Sequence, residues 1–151
     1  MSFWNQIKGA VTDLGDSLTT TVGQFKNKNF ADGTMAMCAY VAAADGSIDA
    51  SERQKTASFI ASNESLKVFE TAELKEKFDH YCGKLESDFD FGKIEVIQAV
   101  SKLKSKPEQA RACIQLGIII AKADGTIDDD ERNAIADCCH AVGISLDEFR
   151  I

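Results

Sequence analysis

The chain has 151 residues, the size of one ordinary globular domain, and 44% of them are apolar, enough to bury a core without disulfides. Its net charge of −7 argues against nucleic acid as a partner, because the average surface repels a phosphate backbone. A single proline and few runs of β-branched residues favour helix over strand, so we predict an all-α fold in a single compact bundle.

Residues 1–29 are predicted to form an amphipathic N-terminal helix. Seven apolar residues recur there at steps of three and four, which is the spacing of one helical stripe. We call them the N-terminal stripe: Phe3, Ile7, Val11, Leu14, Leu18, Val22 and Phe25. The stripe favours docking on the rest of the domain. Phe3, Trp4 and Lys8 at its tip leave a membrane surface or a partner as the alternative.

Residues 30–151 are predicted to form the main helical domain. Its first helix is expected from about Gly33 to Ala44, with Asp32 as its cap, and Thr71 is expected to cap a later helix. The chain then loses its helical periodicity at residues 87–92 before another helix begins.

The second half of this domain has clearer signals. Pro107 suits the first turn of a helix. Because its segment 117–121 is apolar on nearly all sides, that helix is predicted to be the most buried in the chain. Gly143 is expected to end the next helix, and Ser145 with Glu148 to form a capping box for a final short turn.

Cysteines point to the compartment rather than to a site. The chain has five of them, an odd number without Cys-x-x-Cys spacing, which fits neither a disulfide framework nor a zinc finger. No apolar run reaches the roughly 18 residues of a membrane span, and the N-terminus lacks a signal-peptide core. We therefore predict a cytoplasmic protein.

An acidic motif that occurs twice organises the chain. The stretch from Ala44 to Arg53 recurs from Ala123 to Arg132, 79 residues further on (44 to 123), with seven of ten positions identical. Each copy lies where a helix of small and apolar residues stops and a charged helix starts. We predict two pseudo-symmetric helix-loop-helix repeats, at about 30–62 and 108–142, within a bundle of seven to eight helices.

Each copy has the chemistry of a sharp turn followed by a helix cap. Gly46 and Gly125 can adopt the positive φ that such a turn requires. Each copy also has an aspartate followed three positions later by a glutamate, the spacing of a capping box: Asp49 with Glu52, and Asp128 with Glu131. In this interpretation the carboxylates only shape the fold.

The same carboxylates have the spacing of metal ligands. They match the acidic positions 5, 9 and 12 of a calcium-binding EF-hand loop, whose position 7 supplies a backbone carbonyl. The candidate ligands are Asp45, Asp49, Glu52, Asp124, Asp128 and Glu131, with the carbonyl groups of Ser47 and Thr126. Apolar or basic residues occupy the first two ligand positions in both copies. One copy alone is therefore short of the roughly six to eight oxygens that Ca²⁺ takes.

Paired loops of this kind in an acidic helical protein of this size resemble the TerB family of tellurite resistance proteins. Five further segments resemble that family and extend the similarity over the whole chain: Met1-Ser2-Phe3, Lys26-Asn27-Lys28, Leu66-Lys67-Val68-Phe69, Thr71-Ala72-Glu73 and Asp147-Glu148-Phe149. The resemblance implies a component of bacterial tellurite resistance and stress response that acts with other products of the same operon. It also implies association with the membrane protein TerC, which would place the protein at the periphery of the inner membrane.

Three functions remain open from the sequence. The first is a divalent-cation-responsive protein interaction module whose loops hold Ca²⁺, or alternatively Mg²⁺ or Zn²⁺. The second is a structural adaptor whose acidic loops serve only as helix caps, with Arg53 and Arg132 available to neutralise them. The third is a direct binder of tellurite or another oxyanion, which the negative charge opposes. No enzyme motif is present, so we expect a non-enzymatic protein, and we expect a monomer.

Overall fold

The computed structural model describes residues 28–46, 48, 50–62, 66, 69–122, 126–149 and 151. Throughout these ranges the ordered elements are helical, which confirms the all-α class. Six α-helices are found there, where the sequence predicted seven to eight for the whole chain: α1 Lys28–Ala42, α2 Ala50–Ser62, α3 Thr71–Ser87, α4 Phe89–Ser101, α5 Pro107–Lys122 and α6 Asp129–Val142. A 3₁₀ helix, Leu146–Phe149, follows. The predicted N-terminal helix lies outside the described residues, apart from its last two positions.

Helix α1 is the centre of the bundle. It packs against each of the other five helices, and its residues from Gly33 to Val41 are buried without interruption. Small residues make this possible: a Cβ added at Gly33 would lie 3.1 Å from Cδ1 of Leu103 and 3.2 Å from the carbonyl oxygen of Ala99. The sequence predicts α5 as the most buried helix, but α5 exposes Pro107, Glu108 and Arg111 and is buried over a smaller part of its length than α1.

Two predicted helix caps are wrong. Helix α1 begins at Lys28, so Asp32 lies within it, and its carboxylate contacts Nζ of Lys77 in α3 at 3.9 Å. Helix α3 begins at Thr71 itself, with Glu70 at the cap position and no side-chain cap bond. In the first case the aspartate serves a contact between two helices instead of the end of its own helix.

A single residue, Asp88, connects α3 to α4. Its N–H donates to the carbonyl oxygen of Lys84 at 3.1 Å, which closes α3, and its carboxylate accepts from the N–H of Phe91 at 3.2 Å, which opens α4. With only one residue between them, α3 and α4 pack closely at this point. A Cβ on Gly92 would lie 2.7 Å from both Cα and N of Leu85.

The end of the domain follows the sequence prediction in part. Helix α6 ends at Gly143, which has φ of 72°, as expected of a glycine C-cap. Glu148 does not form the predicted capping box. Its carboxylate instead accepts two hydrogen bonds from the Arg111 guanidinium, at 3.0 and 3.3 Å, and so ties the 3₁₀ helix to α5.

The helix boundaries keep the spacing of the sequence repeat. Helix α2 begins at 50 and α6 at 129, a difference of 79 (129 − 50), and α1 and α5 each precede one of them. The pairs α1–α2 and α5–α6 therefore correspond helix by helix. Symmetry between them in space stays a prediction. None of the described helices has the length and hydropathy needed to cross a membrane.

Candidate functional site

The first acidic turn, residues 43–49, joins α1 to α2. The N–H of Gly46 donates to the carbonyl oxygen of Ala43 at 2.9 Å. Gly46 has φ of 93°, a backbone conformation that residues other than glycine rarely adopt. Asp45 is exposed at the corner of the turn, whereas Ile48 is partly buried and packs on the core. This confirms the prediction that Gly46 makes the turn.

The second acidic turn, residues 123–128, leads into α6 through a complete capping box. Oδ1 of Asp128 accepts from the N–H of Glu131 at 2.7 Å, and the N–H of Asp128 donates to Oε1 of Glu131 at 3.1 Å. Ile127 is partly buried against the core, as Ile48 is, and Thr126 is exposed. The capping box predicted for this copy is confirmed.

The rest of the predicted ligand set lies outside the described residues. This holds for the whole of Ser47, Asp49 and Asp124, and for the side chain of Glu52, whose backbone belongs to α2. The predicted turn glycine Gly125 also lies outside them. The described candidates are therefore Asp45, Thr126, Asp128 and Glu131.

Contacts with the end of α4 place the two turns at one end of the bundle. Gly33, near the start of α1, and Gly143, at the end of α6, both lie against the end of α4. Helix α6 therefore begins at the end of the bundle where α1 finishes. Since only a short turn joins α5 to α6, α5 also finishes there, and α1 and α5 run in the same direction.

One contact gives the level of the two helix ends. Met37 of α1 fills the space beside Gly117 of α5. The last residues, Ala42 and Lys122, lie five positions beyond this contact (37 to 42 and 117 to 122), about 7.5 Å along each axis.

Packed helices lie about 8–10 Å apart. The first acidic turn leaves α1, and the second leaves α5, at the same end and from neighbouring helices. The N-termini of α2 and α6 therefore lie at that end. The dipole of a helix favours negative charge near its N-terminus. Their first turns carry the exposed carboxylates of Asp129 and Asp130 in the second copy.

Arg53, which directly follows the first motif, is bonded to a different pair of carboxylates. Its Nη2 lies 3.2 Å from Oδ1 of Asp79 and its Nη1 lies 3.2 Å from Oε1 of Glu86, both on α3. The guanidinium thus ties α2 to α3. Arg53 is therefore engaged with α3 rather than with the carboxylates of the first turn. Arg132, its counterpart in the second copy, lies exposed on α6.

Thiol chemistry has little support in the same domain. All five cysteines are buried. Burial raises the pKa of Cys82 and of Cys113 to about 12 and that of Cys139 to about 11, and it raises the pKa of Cys38 and Cys138 well above the ordinary value. The reactive form is the thiolate, so these side chains behave as packing residues. Across the described ranges, no group of three or more His, Cys, Asp or Glu side chains could hold a metal ion.

Comparison with known proteins decides the family. The family described as "Tellurite resistance protein TerB" matches residues 31–151, which include both acidic turns and all but the first three residues of α1. The chain belongs to the TerB family. A curated protein of Alcaligenes sp, named "Tellurium resistance protein TerB", is 41% identical over 118 residues, which are 78% of this chain and 97% of that protein. No solved structure matches the chain.

The TerB match confirms the family predicted from the repeated motif. The resemblance was predicted to run through the whole chain, whereas the family match begins at residue 31. The N-terminal stripe therefore precedes the matched domain.

Proposed function

We propose that this TerB-family protein acts in tellurite resistance as a non-enzymatic, divalent-cation-responsive interaction module, with the two acidic turns as one site. The observation that carries the proposal is that α1 and α5 run in the same direction and that their acidic turns follow at the same end of the bundle. A pseudo-twofold arrangement of the two repeats would bring their carboxylates together.

Charge supplies the physical reason for a ligand. Six carboxylates from two adjacent turns repel one another, and a divalent cation or a basic partner surface would relieve that repulsion. The proposed ligands are Asp45, Asp49, Glu52, Asp124, Asp128 and Glu131, with the carbonyl groups of Ser47 and Thr126. The first-copy arginine that could have replaced a cation is bonded to Asp79 and Glu86 instead.

The capping box is compatible with such a site. It uses Oδ1 of Asp128 and Oε1 of Glu131. A carboxylate has two oxygens, so one that accepts a cap hydrogen bond can still ligate a cation. Ca²⁺ is the first choice because the spacing follows a calcium loop, and its flexible coordination tolerates ligands from two separate turns. Mg²⁺ and Zn²⁺ are the alternatives.

The proposed partners are other proteins of the tellurite resistance operon, including the membrane protein TerC. An acidic end loaded with a cation, or a bare acidic end facing basic residues, would give a charge-dependent contact. Such a contact would hold a cytoplasmic protein at the inner membrane through its partner.

A structural adaptor without metal is the second candidate, and one observation favours it. The Asp128–Glu131 capping box already accounts for the type and the spacing of two of the three carboxylates in its turn. Direct oxyanion binding is the weaker alternative, since the net charge of −7 repels anions.

Calorimetric titration of the full chain with Ca²⁺, Mg²⁺, Zn²⁺ and Mn²⁺ tests the proposal. Glu52→Gln and Glu131→Gln remove one charge each, and glutamine can still accept the cap hydrogen bond at Glu131. In a shared site each change weakens binding and the double variant loses little more than either single one. Glu76→Gln, an exposed change on α3, is the control.

Other outcomes separate the candidates. Additive losses from the two glutamates would indicate two independent turns. Absence of binding heat for all four cations, with normal resistance in cells carrying the double variant, would leave the adaptor as the function.

A further inference from the structure

The described part of the bundle exposes an apolar face on the outside of α4. Among the described residues, the large apolar side chains that are exposed are Phe91, with 70% of its surface accessible, and Ile94, with 53%. They are three positions apart in one helix, so they lie on the same side of it. We call this pair the α4 outer face. An exposed apolar patch bordered by polar residues is typical of an interaction site.

Helix α4 begins at the end of the bundle that carries the acidic turns, which we call the acidic end. Gly33, near the start of α1, approaches Ala99 and Leu103 where α4 finishes. Tyr40, near the end of α1, has its ring 6.2 Å from that of Phe89 at the start of α4. The two helices therefore run in opposite directions, and α4 starts where α1 finishes. The α4 outer face, in the first half of α4, lies near the acidic end.

The start of α6 adds a carboxylate beside this face. Gly143, at the end of α6, meets Lys104 just after α4, so the two helices run in the same direction. Nζ of Lys93 on α4 lies 3.4 Å from Oδ2 of Asp137, so this side of α6 packs toward α4. Asp130 precedes Asp137 by seven positions, about two helical turns, and lies on the same side. It is exposed, at the level where α4 begins.

Carboxylates also border the face on α4 itself. Asp88 and Asp90, at the cap and in the first turn of α4, are both exposed. Asp90 is four positions before Ile94 and therefore lies next to it on the helix surface. The positive charge of Lys93 in the same helix is taken up by Asp137. The border of the apolar pair is therefore acidic.

We propose that the α4 outer face binds a basic amphipathic segment of a partner protein. Apolar side chains of the segment cover Phe91 and Ile94, and its lysines or arginines meet Asp90 and Asp130. The net charge of −7 opposes a second copy of this chain as the occupant, and the acidic border opposes an anionic membrane surface. This inference rests on the interaction role proposed above and names the chemistry of the partner, but it requires no bound cation.

Titration of the full chain with a synthetic peptide tests the proposal. The probe is a fluorescent helical peptide of leucine and lysine, about four turns long, with its leucines on one face. Its anisotropy should show binding that weakens as salt rises. Phe91→Ser combined with Ile94→Ser should weaken binding by about tenfold or more. Both side chains are exposed, so an unchanged thermal unfolding curve is the fold control.

Charge variants test the acidic border. Asp90→Asn and Asp130→Asn should each weaken binding by about threefold and reduce its dependence on salt. Glu73→Gln is the matched control, because it removes an exposed charge at the start of α3, and α3 finishes where α4 begins. It should leave the affinity unchanged. A peptide with glutamate in place of lysine, and one of the same composition in scrambled order, should bind about tenfold more weakly or not at all.

Three results would overturn the proposal. These are a parent protein that does not bind the peptide, a double α4 variant that binds it as tightly as the parent does, and an exposed pair that is needed instead for self-association or for binding to anionic vesicles. Failure of the cation site is a separate outcome. Peptide binding without cation binding contradicts only the cation site, whereas cation binding without peptide binding contradicts only this inference.

Discussion

The hydroxyl of Tyr40 donates a hydrogen bond of 2.7 Å to Oδ2 of Asp137, which also lies 3.4 Å from Nζ of Lys93. One carboxylate on α6 thus joins α1 and α4, and its tyrosine partner is 97 positions away in the chain. Burial, together with the bond to the carboxylate, raises the pKa of Tyr40 above its ordinary value.

Tyr40→Phe should remove this link and little else. We expect a loss of about 1 kcal/mol in the free energy of unfolding, since the bond is to a charged but partly exposed acceptor. Urea unfolding of Tyr40→Phe, Asp137→Ala and the double variant measures the coupling between them. Fully additive losses would mean that the two side chains stabilise the fold independently.

Alkaline pH should destabilise the protein through its buried thiols. Burial gives these thiols a higher pKa in the folded chain than in the unfolded chain. Between the two pKa values, the thiol is protonated in the folded chain and ionised in the unfolded chain. The folded state then binds more protons, and the free energy of unfolding falls as pH rises. The fall should begin near pH 9.0, the ordinary thiol pKa, and continue to about 11 for Cys139 and about 12 for Cys82 and Cys113.

Each thiol contributes up to about 1.4 kcal/mol per pH unit in this window. Urea midpoints from pH 7 to pH 11, measured in a reductant, should show the decline. Cys113→Ala should make the slope shallower by one thiol. A stability that stays level to pH 11 would contradict the burial of these side chains.

Gly92 and Gly83 form a matched pair of substitutions. Gly92→Ala would place a methyl group 2.7 Å from the backbone of Leu85, so α3 and α4 must separate, and we expect a loss of about 2 kcal/mol or more. A Cβ at Gly83 meets nothing within 4 Å, so Gly83→Ala within α3 should stabilise by about 0.5–1 kcal/mol. Thermal unfolding should therefore shift in opposite directions.

Asp128→Ala should cost about 1 kcal/mol of stability, because it removes the cap acceptor of α6. Asp128→Ser should restore most of this loss, since serine also caps helices. Asp130→Ala is the control for charge alone in the same first turn, and it should cost less. Equal losses at the two positions would assign the effect to the helix dipole rather than to the cap.

The cysteines should be dispensable for resistance. A thiol reagent should modify the five native side chains slowly and then label all of them in denaturant, because they are buried. Single Cys→Ala variants should lower stability and leave tellurite resistance in cells unchanged. A well-folded Cys138→Ala or Cys139→Ala variant that lost resistance would instead indicate that the thiol takes part in function.

Local features of the chain were predictable from sequence. The turn glycine at position 46, the capping box at Asp128 and Glu131 and the helix stop at Gly143 each depend on residues within one turn of each other. The TerB family followed from the same short motifs, because their spacing is repeated at a constant offset.

Features that depend on contacts between distant parts of the chain were not predictable from sequence. Asp32 has the residue type of a cap, but Lys77 from another helix uses its carboxylate. Arg53 follows the acidic motif, yet its partners are 26 and 33 positions away on α3. The central position of α1 was hidden as well, since its apolar residues lie on several sides of the helix and give a weaker periodic pattern than those of α5.

The central position of α1 also has a consequence for biosynthesis. This helix is made first among the six, but its partner α5 follows 79 positions later and α6 later still. While the ribosome translates the intervening residues, the segment from Gly33 to Val41, which is buried in the complete fold, lacks the two helices that cover part of it. The nascent chain should therefore depend on chaperones until its last quarter emerges, and the first repeat expressed by itself should aggregate.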